Sequence, residues 1–157
     1  MSAHWLDSEY QAAEESPGFL LWQVTNRWQA AQRAALAPLG LTHVQFVLLA
    51  SLTWLQSDGP ISQRELAGHA ATDPMMTSQV LRALERRGLV SRMPHPQDGR
   101  ARALAVSADG RDLANRAVAA VEACDLAFFQ PLGAGVGSFA QMLLALRAGA
   151  GRQAALR

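Results

Sequence analysis

Several residue types are scarce in this chain of 157 residues, which has no lysine, one cysteine and one tyrosine. A single cysteine cannot form an intrachain disulfide, so a disulfide framework is excluded. All fourteen basic residues are arginine, and they nearly balance the thirteen acids. A net charge of +1 is small for a protein that coats a polyanion over its whole surface. Any basic binding surface must therefore be local.

The sequence also lacks export signals and long apolar runs. Its N-terminus has no basic segment followed by an apolar one, so we expect no secretory leader. The longest apolar candidate, 44–55, is interrupted by Gln45, Ser51 and Thr53, which predicts a core helix rather than a membrane span. Together with the single cysteine, these features favour a cytoplasmic protein without a membrane partner.

Catalytic, cofactor and metal signatures are missing as well. The chain has no GxSxG, HExxH, P-loop or GxGxxG motif, so we expect no enzyme activity and no cofactor. The histidines show no close ligand spacing; they are His4, His43, His69 and His95. His43 and His69 could approach in space, but without a matching cysteine or acid we expect no metal site. Cys124 lies on an apolar helical stripe, where an inert buried thiol is expected.

One stretch, 61–106, carries a dense set of helix and turn signals. Ser62 and Glu65 have the spacing of a capping box. Asp73-Pro74 then starts a second helix, with an acidic cap followed by a proline in the first turn.

The second half of this stretch predicts a hairpin. Gly88 ends the second helix, because a left-handed C-cap favours glycine. Two extended runs follow, Leu89–Met93 and Arg102–Val106, joined by residues 96–99 with an Asp-Gly pair that is typical of hairpin turns. The order helix, turn, helix, hairpin predicts a winged helix-turn-helix in a mainly α protein.

The second helix of this motif has two different faces at 100° per residue. One face is largely apolar and contains Met76, Val80, Ala83, Leu84 and Arg87, with Leu81 beside it. The opposite face carries Met75, Ser78, Gln79, Arg82 and Arg86. Its polar and guanidinium groups suit base edges or phosphates, although an ordinary solvated face would look similar.

The distribution of charge favours the first alternative. The stretch 61–106 has seven arginines against four acids, whereas the rest of the chain has seven against nine. A local excess of arginine on one helix and hairpin is the electrostatic pattern of a DNA-contacting surface.

Helices with apolar stripes flank this motif on both sides. Ser16-Pro17 starts one that runs to about Ala37, and Thr42 caps a central buried helix. After Ser107 we expect a long helix, a loop at 133–137, a last helix around 139–146 and a fraying tail from 149. The stripes of the terminal helices have little to pack against in one small domain, so they predict a homodimer. We therefore divide the chain into 1–40 and 107–157 for dimerisation and 41–106 for the winged helix.

Taken together, these motifs resemble the MarR family of winged-helix transcriptional regulators. The matching runs are Leu41-Thr42-x-x-Gln45, Gln63-x-x-Leu66-Ala67, Leu84-Glu85-Arg86-Arg87-Gly88-Leu89-Val90-x-Arg92, Asp98-x-Arg100 and Leu104-x-Val106-Ser107-x-x-Gly110. The resemblance extends from about Ser16 to Leu146. Two departures are Met75-Met76, where polar residues are commoner, and Ser107, where threonine is usual.

The resemblance implies a sequence-specific regulator, usually a repressor, that binds double-stranded DNA as a homodimer on a pseudo-palindromic operator. In the family an aspartate at the position of Asp98 orients an arginine that enters the minor groove, which implies that role for Arg100. With Arg102 these residues are the predicted wing contacts. An alternative is a winged helix that binds protein rather than DNA, but it would leave the arginine-lined helix face without a purpose.

The resemblance also implies a small effector, bound between the dimerisation helices and the winged helix. Four residues of the first two long helices are predicted near such a cleft: Trp22, Trp28, His43 and Phe46. They favour an aromatic ligand, although all four could instead only pack the core. Some members of the family sense oxidants through a cysteine near the N-terminal helix, whereas Cys124 lies on the penultimate helix.

Overall fold

The computed structural model describes the backbone of residues 6–155 and the side chains of residues 6–152, so His4 lies outside the described part. The helices are α1 Pro17–Leu36, α2 His43–Leu55, α3 Gln63–Ala70, α4 Pro74–Arg86, α5 Ala108–Phe129 and α6 Val136–Ala155. The strands are β1 Ile61–Ser62, β2 Val90–Pro94 and β3 Arg102–Val106. Short 3-10 turns lie at Ala13–Glu15, Ala37–Leu39, Gln56–Asp58 and Gln130–Gly135. The predicted mainly α fold with a winged helix-turn-helix is confirmed.

Predicted helix starts are confirmed by their hydrogen bonds. The Ser16 hydroxyl accepts from the Phe19 N–H at 3.2 Å. Thr42 and Gln45 form a reciprocal capping box, and Ser62 and Glu65 form another. These side chains satisfy backbone N–H groups that a helix cannot pair internally.

The core of the winged helix is built around α2, which packs against both α3 and α4. Leu48, Leu49 and Leu52 of α2 are fully buried. Each fully buried leucine contributes about 1.5–3 kcal/mol relative to an exposed one. The burial is one-sided, however, because Trp54 of the same helix is 77% exposed.

A three-stranded antiparallel sheet with β3 in the centre closes this core. Val90 of β2 lies opposite Val106, and Ile61 of β1 lies opposite Leu104. Leu104 is 2% exposed, so the inner face of the sheet adds to the same core.

The junction between α4, the sheet and α5 is tight. Gly88 has φ +70° and ends α4 as predicted. The Ser107 hydroxyl accepts from the Gly110 N–H at 2.9 Å and donates to the Gly88 carbonyl at 2.7 Å. A Cβ added at Gly110 would lie 2.1 Å from the Leu89 carbonyl oxygen, so only glycine allows this approach.

The chain divides into two compact units, Met1–Val121 and Glu122–Arg157. In the second unit α6 begins at Val136, inside the stretch predicted as a loop, and continues to Ala155. The prediction of a fraying tail from Gly149 was therefore wrong for the described backbone. That prediction rested on how little this tail can bury; the helix continues through its glycines nonetheless, because an isolated glycine costs a helix only about 1 kcal/mol.

The stretch Ala108–Arg152 is long and apolar enough to match a membrane-crossing helix by composition. Helices α1 and α2 match one only when they are taken together, and a bend of 75° separates them. In the first stretch Gly133 has non-helical φ 52° and ψ −126°, so α5 and α6 are separate helices. Arg147 interrupts α6 after eleven residues, short of the roughly 20 apolar residues that a span needs. The apolar character of α2 is explained by its buried core leucines.

Candidate nucleic-acid interface

The N-terminus of α4 is fixed by Asp73 and Thr77. The Asp73 carboxylate accepts from the Met75 and Met76 N–H groups at 2.8 and 3.3 Å. The Thr77 hydroxyl donates to the Asp73 carbonyl at 2.8 Å and contacts the Thr72 hydroxyl at 2.7 Å. With both bonds made, Thr77 is fully buried.

This burial corrects the predicted inner face of α4. Thr77, Leu81 and Leu84 are its buried residues, whereas Met76 is 44% exposed. The inner face is therefore centred one position away from the predicted one. The helical wheel counted Met76 with the apolar face and assigned Thr77 to neither face, because the sequence does not show that the threonine hydroxyl bonds back to its own helix.

The predicted DNA-contacting residues of α4 lie on its outer face. Met75 is 72% exposed, and Gln79, Arg82 and Arg86 are exposed, while Ser78 is half-buried. The Arg82 Nη2 donates to the Ser78 hydroxyl at 3.0 Å. The structure thus brings these two residues together as one polar pair, available to a base edge or a phosphate.

A network around Arg92 of β2 joins the wing to both helices of the motif. Its guanidinium forms an ion pair with Glu85 of α4 at 2.7 Å. A second nitrogen of the guanidinium donates to the Gln63 side chain of α3 at 3.3 Å. The half-buried Arg92 is therefore engaged within the protein, and it holds α3, α4 and the hairpin in a fixed arrangement.

The wing loop differs from the predicted geometry in two ways. The Asp98 carboxylate accepts from the backbone N–H of Arg100 at 3.0 Å, and no ion pair between their side chains occurs among the described residues. Gly99 is not among the left-handed glycines of the described chain, so the Asp-Gly pair does not form a two-residue primed turn. Instead the Ala101 N–H donates to the Asp98 carbonyl, and the His95 N–H donates to the Ala101 carbonyl. Asp98 thus shapes the backbone that carries the exposed Arg100.

All four acids of the stretch 61–106 are occupied by internal hydrogen bonds. Glu85 binds Arg92, Asp98 binds the Arg100 N–H, and Asp73 caps α4. Glu65 accepts from the Ser62 N–H at 2.7 Å, and this bond lowers the pKa of its carboxyl below the ordinary value of 4.5. Only Glu85 is paired with a cation, and the other three carboxylates keep their charge. The positive potential of the outer surface therefore comes from the excess of seven arginines over four acids in this stretch.

A cleft of about 1,070 Å³ lies between α3, the turn that leads to α4, and the wing. It is lined on the α3 side by Arg64 and on the wing side by His95, Asp98 and Arg102. The sequence prediction included Asp98 and Arg102 but not Arg64 or His95. Arg64 lies in the exposed first turn of α3, and this position of a basic residue in the motif is the sequence feature that could have identified it.

The four residues predicted near an effector cleft are not all brought together. The Trp28 and His43 rings meet edge to face with centroids 5.0 Å apart. Phe46 is 9% exposed and belongs to the core, whereas Trp22 is 67% exposed. None of the four lines the large cleft beside the wing. In the described part of the chain no cluster of three or more histidine, cysteine or acidic residues could hold a metal ion.

Known proteins are similar to this chain in both sequence and architecture. The MarR family model matches residues 41–101. YdcH of Bacillus subtilis (strain 168), an uncharacterized HTH-type transcriptional regulator, is 42% identical over 123 residues, which cover 78% of this chain and 84% of YdcH. The chain belongs to the MarR family. It is therefore a transcriptional regulator with the winged helix-turn-helix as its DNA-binding element.

Two solved structures of the family are similar over most of the chain. The structure of Rv2887 of Mycobacterium tuberculosis in complex with DNA has a TM-score of 0.64 and 36% identity, covering 83% of this chain and 97% of that one. Rv2887 itself is named an HTH-type transcriptional repressor. The structure of CouR of Rhodococcus jostii RHA1 bound to p-coumaroyl-CoA has a TM-score of 0.75 and 32% identity, covering 86% and 93%.

Proposed function

We propose that this MarR-family regulator is a repressor that binds a pseudo-palindromic operator as a homodimer. The observation that carries the proposal is the exposed arginine-bearing face of α4 beside the wing, where every acid is engaged internally. Ser78, Gln79 and Arg82 read the major groove, and Arg100 of the wing enters the minor groove. The DNA complex of the similar repressor Rv2887 supports DNA binding by this chain.

The homodimer is supported by apolar surface on both terminal regions. In α1, Leu21 is 53% and Trp22 67% exposed. In the second unit, Leu126 is 79% and Leu146 64% exposed, and none of the side chains at 136–152 is buried. Such surface is costly in water unless a partner covers it. A second copy also doubles the DNA contact, since one recognition helix and wing bury too little for tight specific binding.

A small aromatic effector that lowers operator affinity completes the proposal. Trp28 and His43 supply an edge-to-face aromatic pair where α1 meets α2, which an aromatic ligand could extend. CouR, a structural relative, is known bound to p-coumaroyl-CoA. A library of phenolic acids should contain a compound that quenches tryptophan fluorescence and releases bound DNA. The absence of both effects across the library would contradict this part of the proposal.

Selection of genomic fragments tests the DNA-binding proposal. Sheared DNA of the source organism is passed over the immobilised protein, and the fragments that survive a salt wash are sequenced. We expect a shared inverted repeat with half-sites about 10 base pairs apart, so that both recognition helices meet one face of the duplex. The double variant Arg82→Ala/Arg100→Ala is the matched control and should enrich no repeat. Equal, sequence-independent retention of DNA by both proteins would contradict operator recognition, and no retained DNA at all would favour the protein-binding winged helix. As an operator-binding protein, the regulator acts in the cytoplasm.

A further inference from the structure

Arg87 links the end of α4 to a distant part of the chain. It is the C-terminal cap residue of α4 and falls on the side of the helix away from the predicted DNA contacts. Its Nη1 donates to the carbonyl oxygen of Gly40 at 2.8 Å, across 47 residues of sequence. A Cβ added at Gly40 would lie 3.6 Å from the Arg87 Nη2, so the guanidinium covers the position that a side chain there would occupy.

Gly40 belongs to the elbow, the segment 37–42 that joins α1 to α2. The elbow begins with the 3-10 turn Ala37–Leu39, and the Gly40 N–H donates to the Ala37 carbonyl at 3.0 Å. Leu36, just before the elbow, and Leu41, within it, are 0% and 5% exposed. Two leucines therefore hold the elbow from the core, and Arg87 holds it from the surface.

The elbow is also the point at which α1 and α2 diverge. His43 is the first residue of α2, and its ring contacts Trp28 of α1. A change in the angle between these helices must therefore move Gly40. Because the Gly40 carbonyl binds Arg87, that movement reaches the end of α4. A charged donor forms a stronger bond to a carbonyl than a neutral one, which suits this link to transmitting a displacement.

We propose that Arg87 is a positioning residue that couples the elbow to the recognition helix, and so sets the separation of the two α4 helices in the dimer. This inference rests on the proposed function, because it requires a homodimer on an operator with two half-sites. Arg87 then acts without touching DNA. Its loss leaves the Thr77 and Asp73 bonds at the start of α4 intact but releases the other end from the elbow.

The test compares operators whose half-sites are moved closer or further apart by one base pair. The wild-type protein should bind the selected spacing about tenfold more tightly than either shifted one, because the recognition helices are held at a fixed distance. Arg87→Ala should reduce this preference to about two- to threefold, and Arg87→Lys, which keeps one donor, should restore part of it. The matched control is Arg86→Ala, which removes the same charge from the neighbouring position. It should weaken binding to all spacings by a similar factor and leave the preference unchanged.

The outcomes separate the inference from the function on which it rests. A wild-type protein that binds no inverted repeat contradicts the proposed function. Wild-type binding with a spacing preference that Arg87→Ala retains overturns the coupling role alone. Wild-type binding without any spacing preference overturns it too, since there is then no fixed separation to maintain. Light scattering of each variant shows whether it is still a dimer, and a preference lost only together with the dimer overturns the assignment to Arg87.

Discussion

Gly110 makes the closest backbone approach described above, and it supplies a prediction at the scale of one residue. A Cβ there would collide with the Leu89 carbonyl, whereas a Cβ at Gly68 in α3 has nothing within 4 Å. We expect Gly110→Ala to lower the free energy of unfolding by about 1–3 kcal/mol. Gly68→Ala should instead raise it by about 0.5–1 kcal/mol, because alanine favours a helix over glycine. Urea denaturation followed by circular dichroism measures both; a stable Gly110→Ala protein would contradict the packing at this junction.

Asp98 gives a second prediction at this scale, because the structure and the family resemblance assign its carboxylate different partners. An acceptor for the Arg100 N–H can be an amide oxygen, whereas a partner for the guanidinium must be charged. Asp98→Asn should therefore keep most of the operator affinity, while Asp98→Ala should lose about 0.5–1.5 kcal/mol through a loosened loop. Gel-shift titrations measure both. Equal losses in the two variants would favour charge pairing with Arg100 in the complex.

Single residues also mark the limit of what could be predicted from the sequence. Helix caps such as Ser62 with Glu65 were predicted correctly, because they depend only on neighbours along the chain. The burial of Thr77 was not predicted, because it depends on a hydroxyl that finds its hydrogen-bond partners only in the folded turn. The left-handed Ala71 between α3 and α4 also lacks the usual glycine signal.

Among the helices, α3 offers a pH-dependent prediction through its capping box. Because Glu65 binds the Ser62 N–H, the pKa of its carboxyl is lowered in the folded protein, below the ordinary value of 4.5. The ionised group therefore stabilises the fold above about that pH, and the contribution is lost as the pH falls through the lowered pKa. Glu65→Gln should be less stable than wild type at neutral pH and equally stable in acid. Urea midpoints across the acid range measure the difference; a gap that persists below the folded pKa would contradict the ionic cap.

Helices and strands were predicted better than the contacts between them. The periodicity of α4 and the two extended runs located the helix and the hairpin within one or two residues. The Arg92 link to Glu85 and Gln63 was not visible, since its partners are 7 and 29 residues away in sequence. The same is true of the cleft beside the wing, which exists only once α3 and the hairpin are adjacent.

For the whole molecule, the exposed terminal helices lead to a prediction about assembly. The chain has a mass of 16.9 kDa, and light scattering at micromolar concentration should give about twice that value. Leu146→Asp should shift the protein towards the monomer, because it puts a charge on the apolar surface of α6. The control is Trp54→Asp, at a 77% exposed position of α2 outside the terminal helices, which should stay dimeric. A monomeric wild-type protein would contradict the assembly.

We propose that α4 and the wing bind one operator in different ways, and a salt series of affinities for the selected repeat separates their contributions. Arg82→Ala should cost about 1–3 kcal/mol on the preferred site and relax specificity at one base position. Arg100→Ala should weaken binding broadly and lower the salt slope by about one unit. If Arg82 ends on a phosphate, both variants lower the slope and neither relaxes specificity. Unchanged affinity for Arg100→Ala, in a folded dimer, would show that the wing does not take part in DNA recognition.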